Sequence, residues 1–363
     1  MTRAQIWHSL EEVPADLGAS AVTIGNFDGV HLGHRYVLDA LRDNAAARSL
    51  EPVALTFWPH PRHVMQTPGE PPLITAHTDR DRLLLLAGMN GVLDLEFTWD
   101  FAQYSAEEFV RVFLVEGLGM RCIVTGSDTR FGRANAGDVD TLLELGRRYG
   151  FDVVVLPDLS PGETAATDAA AIDAGPLDAR SPGEPGPAEA PRISSSAIRE
   201  ALLSGEIPEA TAMLGRFHTV ADVVHHGFKR GRELGFPTAN LGPMPQGLVP
   251  ADGVYAGFLT VVEQSQEHRG APPLVGARTT ISIGTNPTFH EGSEESPRMV
   301  EAYVHGDNSL DLYGDTVRLE FVERQRPTLR FSSVNALVAQ MELDKDVTRR
   351  TLESVQSDVL HRR

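Results

Sequence analysis

The feature that most constrains the fold of this chain is a change of pattern near residue 216. From about residue 21 to 156, short β-type runs (22–24, 53–57, 92–97, 122–125 and 153–156) alternate with helical patterns. One helix is expected over 105–116, where Ser105 and Glu108 suit a capping box. Such alternation predicts a doubly wound parallel sheet with helices on both faces, in an α/β domain. Two more helices, 195–204 and 208–214, close that domain. After Arg216 the runs 219–224, 253–262, 279–283, 300–304 and 316–322 are separated by turns, with no crossover helices between them. Parallel pairing needs such crossovers, so the second half is expected to be an antiparallel β-barrel, with a terminal helix over 333–355. The expected domains are 1–215 and 216–363.

Composition supports two domains and narrows the class. A chain of 363 residues gives each half room for its own core. A single cysteine, Cys122, excludes an internal disulfide and fits a reducing cytoplasm, and MTRAQIWHSL has no signal-peptide pattern. The longest apolar stretch, around 83–89, is far below the roughly 20 residues a membrane helix needs, so no membrane partner is expected. The formal charge of −18 argues against a general grip on nucleic acid. Residues 160–191, dense in Ala, Pro, Gly, Asp and Glu, read as a low-complexity insertion.

The first β run breaks into GNFDGVHLGH, Gly25 to His34. A turn here must feed a helix over 33–47, with Val37, Leu38 and Leu41 on one face. His31 and His34 then stand at the mouth of that helix, where free N–H groups and the helix dipole favour an anion. The spacing also suits metal ligation or plain capping, although Cys122 offers no thiolate cluster. Three further loops fall at strand ends or a helix start: FWPHP (57–61), GSDTRFGRANAGD (126–138) and ISSSAIR (193–199). Each alone is also explained as a turn or a cap.

HxGH resembles the signature of the nucleotidyltransferase superfamily, and the four segments in this order resemble bacterial FAD synthetases. That resemblance implies transfer of AMP from ATP to the phosphate of FMN, giving FAD and pyrophosphate. On it His31 and His34 are catalytic, Gly25, Phe27, Asp28, Ser194, Ser195 and Arg199 bind nucleotide and phosphates, and Pro59, His60 and Pro61 meet the flavin. Thr129 stands where the family has an aromatic, Ser196 where it has Thr, and Ala134 where it has a polar residue.

In the second half, HHGFKRGRELGFPTANL (225–241) combines Gly227, Gly231 and Gly235 with Lys229, Arg230 and Arg232. A glycine-rich basic loop suits phosphate but is equally a common surface turn, and it lacks the Walker A spacing. Together with GVYAGF, SIGTNPTF, VEAYV, DLYGD and Arg326-Pro327, it is similar to riboflavin kinases. The resemblance implies phosphoryl transfer from ATP to riboflavin. It makes Glu301 the catalytic base over Glu320 and Glu323, which the residues alone leave equal. It also assigns Gly227, Lys229, Arg230 and Gly231 to phosphates, Thr238 and Asn240 to Mg²⁺-ATP, and Arg326 to the flavin. The chain is thus expected to belong to the bacterial bifunctional riboflavin kinase/FAD synthetases, with riboflavin, FMN, ATP and FAD as its small-molecule partners. Two alternatives stand beside this: a kinase alone with a degenerate first domain, and a flavin-binding protein without turnover.

Overall fold

A computed structural model of the chain describes residues 4–65, 72–157, 193–226, 236–270, 272–285, 298–306 and 310–357. The expected insertion at 160–191 and the basic residues Gly227, Lys229, Arg230 and Gly231 lie outside the described residues. The chain divides into two compact units. One comprises residues 1–26, 32–65 and 84–197, the other 27–31, 66–83 and 198–363.

The first unit is built on six parallel strands: β1 (Gln5–Trp7), β2 (Ser20–Ile24), β3 (Glu51–Trp58), β4 (Gly91–Glu96), β5 (Met120–Gly126) and β6 (Asp152–Leu156). Their order is β1-β4-β3-β2-β5-β6. From β2 the chain winds outward through β3 and β4, then returns to β5 on the other side of β2. The switch point of the sheet therefore lies between β2 and β5, where open α/β sheets bind ligands. β1 was not expected from sequence because three residues carry little pattern. Its Trp7 lies where a side chain on Gly91 would have to go, so glycine at 91 admits the indole.

Helix α1 (Leu32–Arg48) buries Leu38, Leu41 and Ala45. Helices α2 (Pro61–Val64) and α3 (His77–Leu86) follow β3. Val22, Val53, Leu55, Leu93 and Ile123 share a core with Phe109, Phe113, Leu114, Leu142 and Leu145. The neighbouring strand residues Ala21, Ala54, Val92 and Val124 are equally buried on the opposite face of the pleat. The helix expected over 105–116 is only partly α-helical. Ser105 and Glu108 do form the capping box, but α4 (Ala106–Phe109) widens at once into a π-helical segment, Val110–Gly117. The wider turn accommodates stacking of Phe109 on Phe113 at 5.7 Å while Val110 and Leu114 are also buried. Helix α5 (Val139–Tyr149) precedes β6, and α6 (Ser195–Ser204) and α7 (Ile207–Leu214) precede the barrel.

The second unit contains a closed barrel of β7 (His218–His225), β8 (Ala239–Leu241), β9 (Gly253–Glu263), β10 (Ala277–Gly284), β11 (Met299–Val304) and β12 (Thr316–Arg326). The order is β10-β11-β8-β7-β12-β9, with every pair antiparallel. β8 is a second departure from expectation: PTAN reads as a turn, yet its last two residues open a strand that closes the barrel. Alternation places Val220, Val224, Ala239, Leu241, Ile281, Ile283, Val300 and Ala302 inside. Ile198, Leu202, Ile207 and Leu214 of α6 and α7 belong to this same core. The terminal helix α8 (Val334–Thr351) begins at Ser333, whose hydroxyl accepts from Ala336 N–H at 3.2 Å.

Candidate active sites

The segment carrying the first histidine begins where β2 ends. Gly25 N–H still donates to Leu55 O at 3.1 Å, continuing the pairing one residue past the strand. The backbone then turns through left-handed conformations at Phe27 (φ 49°), Gly29 (φ 88°) and Val30 (φ 38°). Glycine takes this region freely, whereas β-branched valine does so only where its surroundings hold it.

Those surroundings are polar and charged. Asp28, 4% exposed, accepts from the N–H groups of Ile74 at 3.0 Å and Thr75 at 3.2 Å, and is ion-paired with Arg199. Arg199 also donates from Nε to Pro72 O at 2.9 Å. Arg216 donates from Nη1 to Val30 O at 3.1 Å and from Nη2 to Gly29 O at 2.5 Å. Buried beside these cations, His31 has its pKa pushed down to about 4, first by loss of hydration and then by the charges of Arg216 and Arg199. At neutral pH its imidazole is uncharged, with one N–H to donate and one nitrogen to accept. His34 lies three residues on, in the first turn of α1 and half-buried.

Of the predicted phosphate-binding residues, Asp28 and Arg199 are therefore bound to each other, and the pair anchors the loop. Arg216 was missed by sequence reading. It is the first residue of the two-residue gap between the Gly215 cap of α7 and His218, where β7 begins, and no motif marks it.

The remaining predicted residues of the first half lie at element ends. His60 caps α2 by accepting at Nδ1 from Arg62 N–H at 3.2 Å, and Pro61 takes the first helical position after the cis Trp58–Pro59 bond. Ser194 Oγ accepts from Ala197 N–H at 3.2 Å, capping α6, which starts at Ser195. At the end of β5 the hydroxyl of Thr125 is hydrogen-bonded to that of Thr129 in the loop beyond. Phe131 and Gly137 exchange backbone bonds at 3.1 and 2.9 Å around left-handed Ala134 and Asn135. Asp138 then caps α5 by accepting from Thr141 N–H at 2.9 Å.

In the barrel, strand register does the positioning. Asn240 of β8 is paired with Glu301 of β11 on one side and with His225 of β7 on the other, and Glu301 is paired with Ser282 of β10. Paired residues share a face, and their neighbours Leu241, Ala302 and Ile283 point into the core. His225, Asn240, Glu301 and Ser282 thus form a polar row across the outside of four strands. Asn240 Nδ2 donates to Thr238 O at 3.1 Å and reaches Thr238 Oγ1 at 3.4 Å, which brings the two predicted cation ligands together.

The competing glutamates differ from Glu301. Glu320 is 2% exposed and accepts a hydrogen bond from the Ser357 hydroxyl, and Glu323 is exposed on an irregular stretch of β12. Arg326, the predicted flavin contact, makes a forked ion pair with Asp344 of α8, at 2.8 Å from Nε and 2.6 Å from Nη2. Hydroxyl, amide and carboxylate oxygens at 238, 240 and 301 are hard donors of the kind Mg²⁺ prefers.

Comparison with known proteins joins the two halves. The FAD synthetase family model matches residues 13–168 and the riboflavin kinase model residues 214–352. A bifunctional riboflavin kinase/FMN adenylyltransferase of Escherichia coli K12 is 30% identical over 93% of this chain and 94% of its own length. One from Listeria monocytogenes is 31% identical over 90% and 91%. A solved Streptococcus pneumoniae structure described as a macrolide-efflux protein matches with TM-score 0.72 and 26% identity, covering 95% of this chain and 98% of that one. The efflux description does not carry over, because the curated relatives are more similar over the same span. Among the described residues no helix is long and apolar enough to cross a membrane. Two family models in this order, and relatives that match both halves end to end, establish that the chain belongs to the bifunctional riboflavin kinase/FMN adenylyltransferases.

Proposed function

We propose that the chain performs the two reactions of its family at two separate sites. Riboflavin is phosphorylated to FMN in the barrel half, residues 216–363. FMN is adenylylated to FAD, with release of pyrophosphate, by residues 1–215. ATP is the second substrate of both, and the enzyme works in the cytoplasm. The observation that carries this reading is that the chemistry-bearing residues fall into two sets on two kinds of scaffold, the arginine-held loop of His31 and the strand row of Asn240 and Glu301.

In the kinase reaction the nucleophile is a hydroxyl, which attacks the terminal phosphorus of ATP only as its proton leaves. Glu301 accepts that proton. Thr238 and Asn240, already hydrogen-bonded to each other, would hold Mg²⁺, which when bound neutralises phosphate charge. Gly227, Lys229, Arg230 and Gly231 contribute the phosphate cradle, and Arg326 borders the flavin.

Adenylyl transfer needs no protein nucleophile, since the FMN phosphate already is one. Its demand is charge stabilisation on the leaving pyrophosphate. His31 donates as a neutral imidazole, His34 is the second imidazole assigned to the phosphates, and backbone at Gly25 and at Phe27 is assigned to the nucleotide. Ser194, Ser195 and Arg199 bind departing phosphate oxygens, with Asp28 orienting Arg199. Pro59, His60 and Pro61 border the flavin.

Product chromatography on two variants tests the assignment. Glu301→Ala is expected to lose FMN formation while still converting supplied FMN to FAD, and His31→Ala to do the reverse. Loss of both activities from either folded variant contradicts two sites. Thr129, bonded to Thr125, and Ala134 favour the second reading, a kinase with a degenerate first half. Absence of FAD from wild-type enzyme given FMN, ATP and Mg²⁺ would establish it.

A further inference from the structure

We infer that Arg216 is a positioning residue for adenylyl transfer: it holds the strained Phe27–Val30 turn in the shape that presents His31. The inference rests on the proposed role of His31 and adds a residue that the family resemblance did not assign.

Three of the four residues before His31 are left-handed, at φ 49°, 88° and 38°. Gly29 meets this need without cost, but Phe27 and Val30 do not, so their surroundings must offset the strain. Within the turn, Val30 N–H donates to Phe27 O at 2.9 Å. Asp28 fixes the middle through Ile74, Thr75 and Arg199.

The last two carbonyls before His31 are those of Gly29 and Val30, and both are bonded by the two terminal nitrogens of one guanidinium. A planar fork bridging successive carbonyls fixes the orientation of both peptide planes, and with them the direction in which the chain enters His31. Arg216 is itself held by its position between the Gly215 cap of α7 and β7, and Nη1 also reaches Leu214 O at 3.3 Å. The turn, the arginine, α7 and β7 all belong to one compact unit. A lysine in this place carries the charge but not the fork.

The test is steady-state kinetics of both reactions in the full-length chain for Arg216→Ala and Arg216→Lys, with His31→Ala alongside. Misplacing a reacting group by about 1 Å costs on the order of 100-fold. Arg216→Ala is therefore expected to lower kcat for FAD formation by about 10- to 100-fold, with KM for ATP changed less than about threefold. Riboflavin phosphorylation, expected within about twofold of wild type, reports that the barrel unit is folded. Arg216→Lys is expected to recover only part of kcat. It also carries the test should the alanine variant not fold.

An unchanged kcat in the alanine variant overturns the inference. So does a loss confined to KM for ATP, which would make Arg216 a direct phosphate contact, and so does full recovery by lysine, which would make charge sufficient. Equal loss of both activities would reduce Arg216 to a general structural role and also overturns it. If instead His31→Ala retains full adenylyl transfer, the underlying reading of His31 fails, and that result is distinct from any outcome at Arg216.

Discussion

The histidine loop and the barrel row place chemical groups by opposite means. Glu301 and Asn240 stand side by side because two regular strands are in register, so backbone hydrogen bonding fixes them before any side chain is considered. His31 follows a turn of left-handed residues whose shape depends on Asp28, Arg199 and Arg216. Register is robust to substitution at single side chains, whereas a strained loop is only as good as the groups that hold it. The two sites should therefore respond very differently to changes in their supports.

The largest expected effect is at Asp28. Asp28→Asn leaves Arg199, 9% exposed, without its ionic partner, and breaking a buried pair costs about 3–5 kcal/mol. Urea unfolding should show this loss, and adenylyl transfer should fall further than riboflavin phosphorylation. Equal decline of the two reactions would break the contrast between loop and row.

Acid should also act on the loop. His31 has a pKa near 4 against a usual 6.5, as does His218, buried at the start of β7 with Nε2 2.7 Å from Leu248 O. Between those values each of these histidines binds more protons in the unfolded chain than in the folded one, so the stability they contribute rises with pH from about 4 to 6.5 and is constant above. A shift of this size corresponds to roughly 3 kcal/mol per histidine. The urea midpoint should fall between pH 7 and pH 5, and His218→Gln should flatten that dependence. An unchanged slope in the variant would remove His218 from the account.

A smaller effect is expected where a fork holds a helix. Arg326→Lys breaks the two-bond grip on Asp344 and should cost about 1 kcal/mol, read as a lower melting temperature. If Arg326 acts chiefly on α8, KM for riboflavin should change less than about threefold; a tenfold rise would instead support its proposed flavin contact.

The same contrast decides what was legible in the sequence. Alternating runs gave the sheet and barrel because burial imposes a period on strands and helices. Two short strands escaped: β1 has three residues, and β8 begins inside PTAN, whose proline and polar residues read as a turn. The π-helical widening at Val110–Gly117 escaped too, because the same apolar residues fit an α-helical period.

At the sites, histidines next to a helix start were visible from spacing, and the Ser105 capping box from its two residues. Glu301 was not separable from Glu320 and Glu323 by local pattern, since what distinguishes it is a partner across the barrel. Arg216 was invisible for the same reason, the loop carbonyls it bonds lying far away in sequence at Gly29 and Val30.

The central claim is that one chain holds two independent sites, linked by FMN as the product of one and the substrate of the other. Mixing tests it most directly. His31→Ala and Glu301→Ala proteins, each given riboflavin, ATP and Mg²⁺, should separately produce no FAD, whereas an equimolar mixture should produce FAD after FMN accumulates. A mixture of the two folded variants that yields FMN but no FAD would contradict the account.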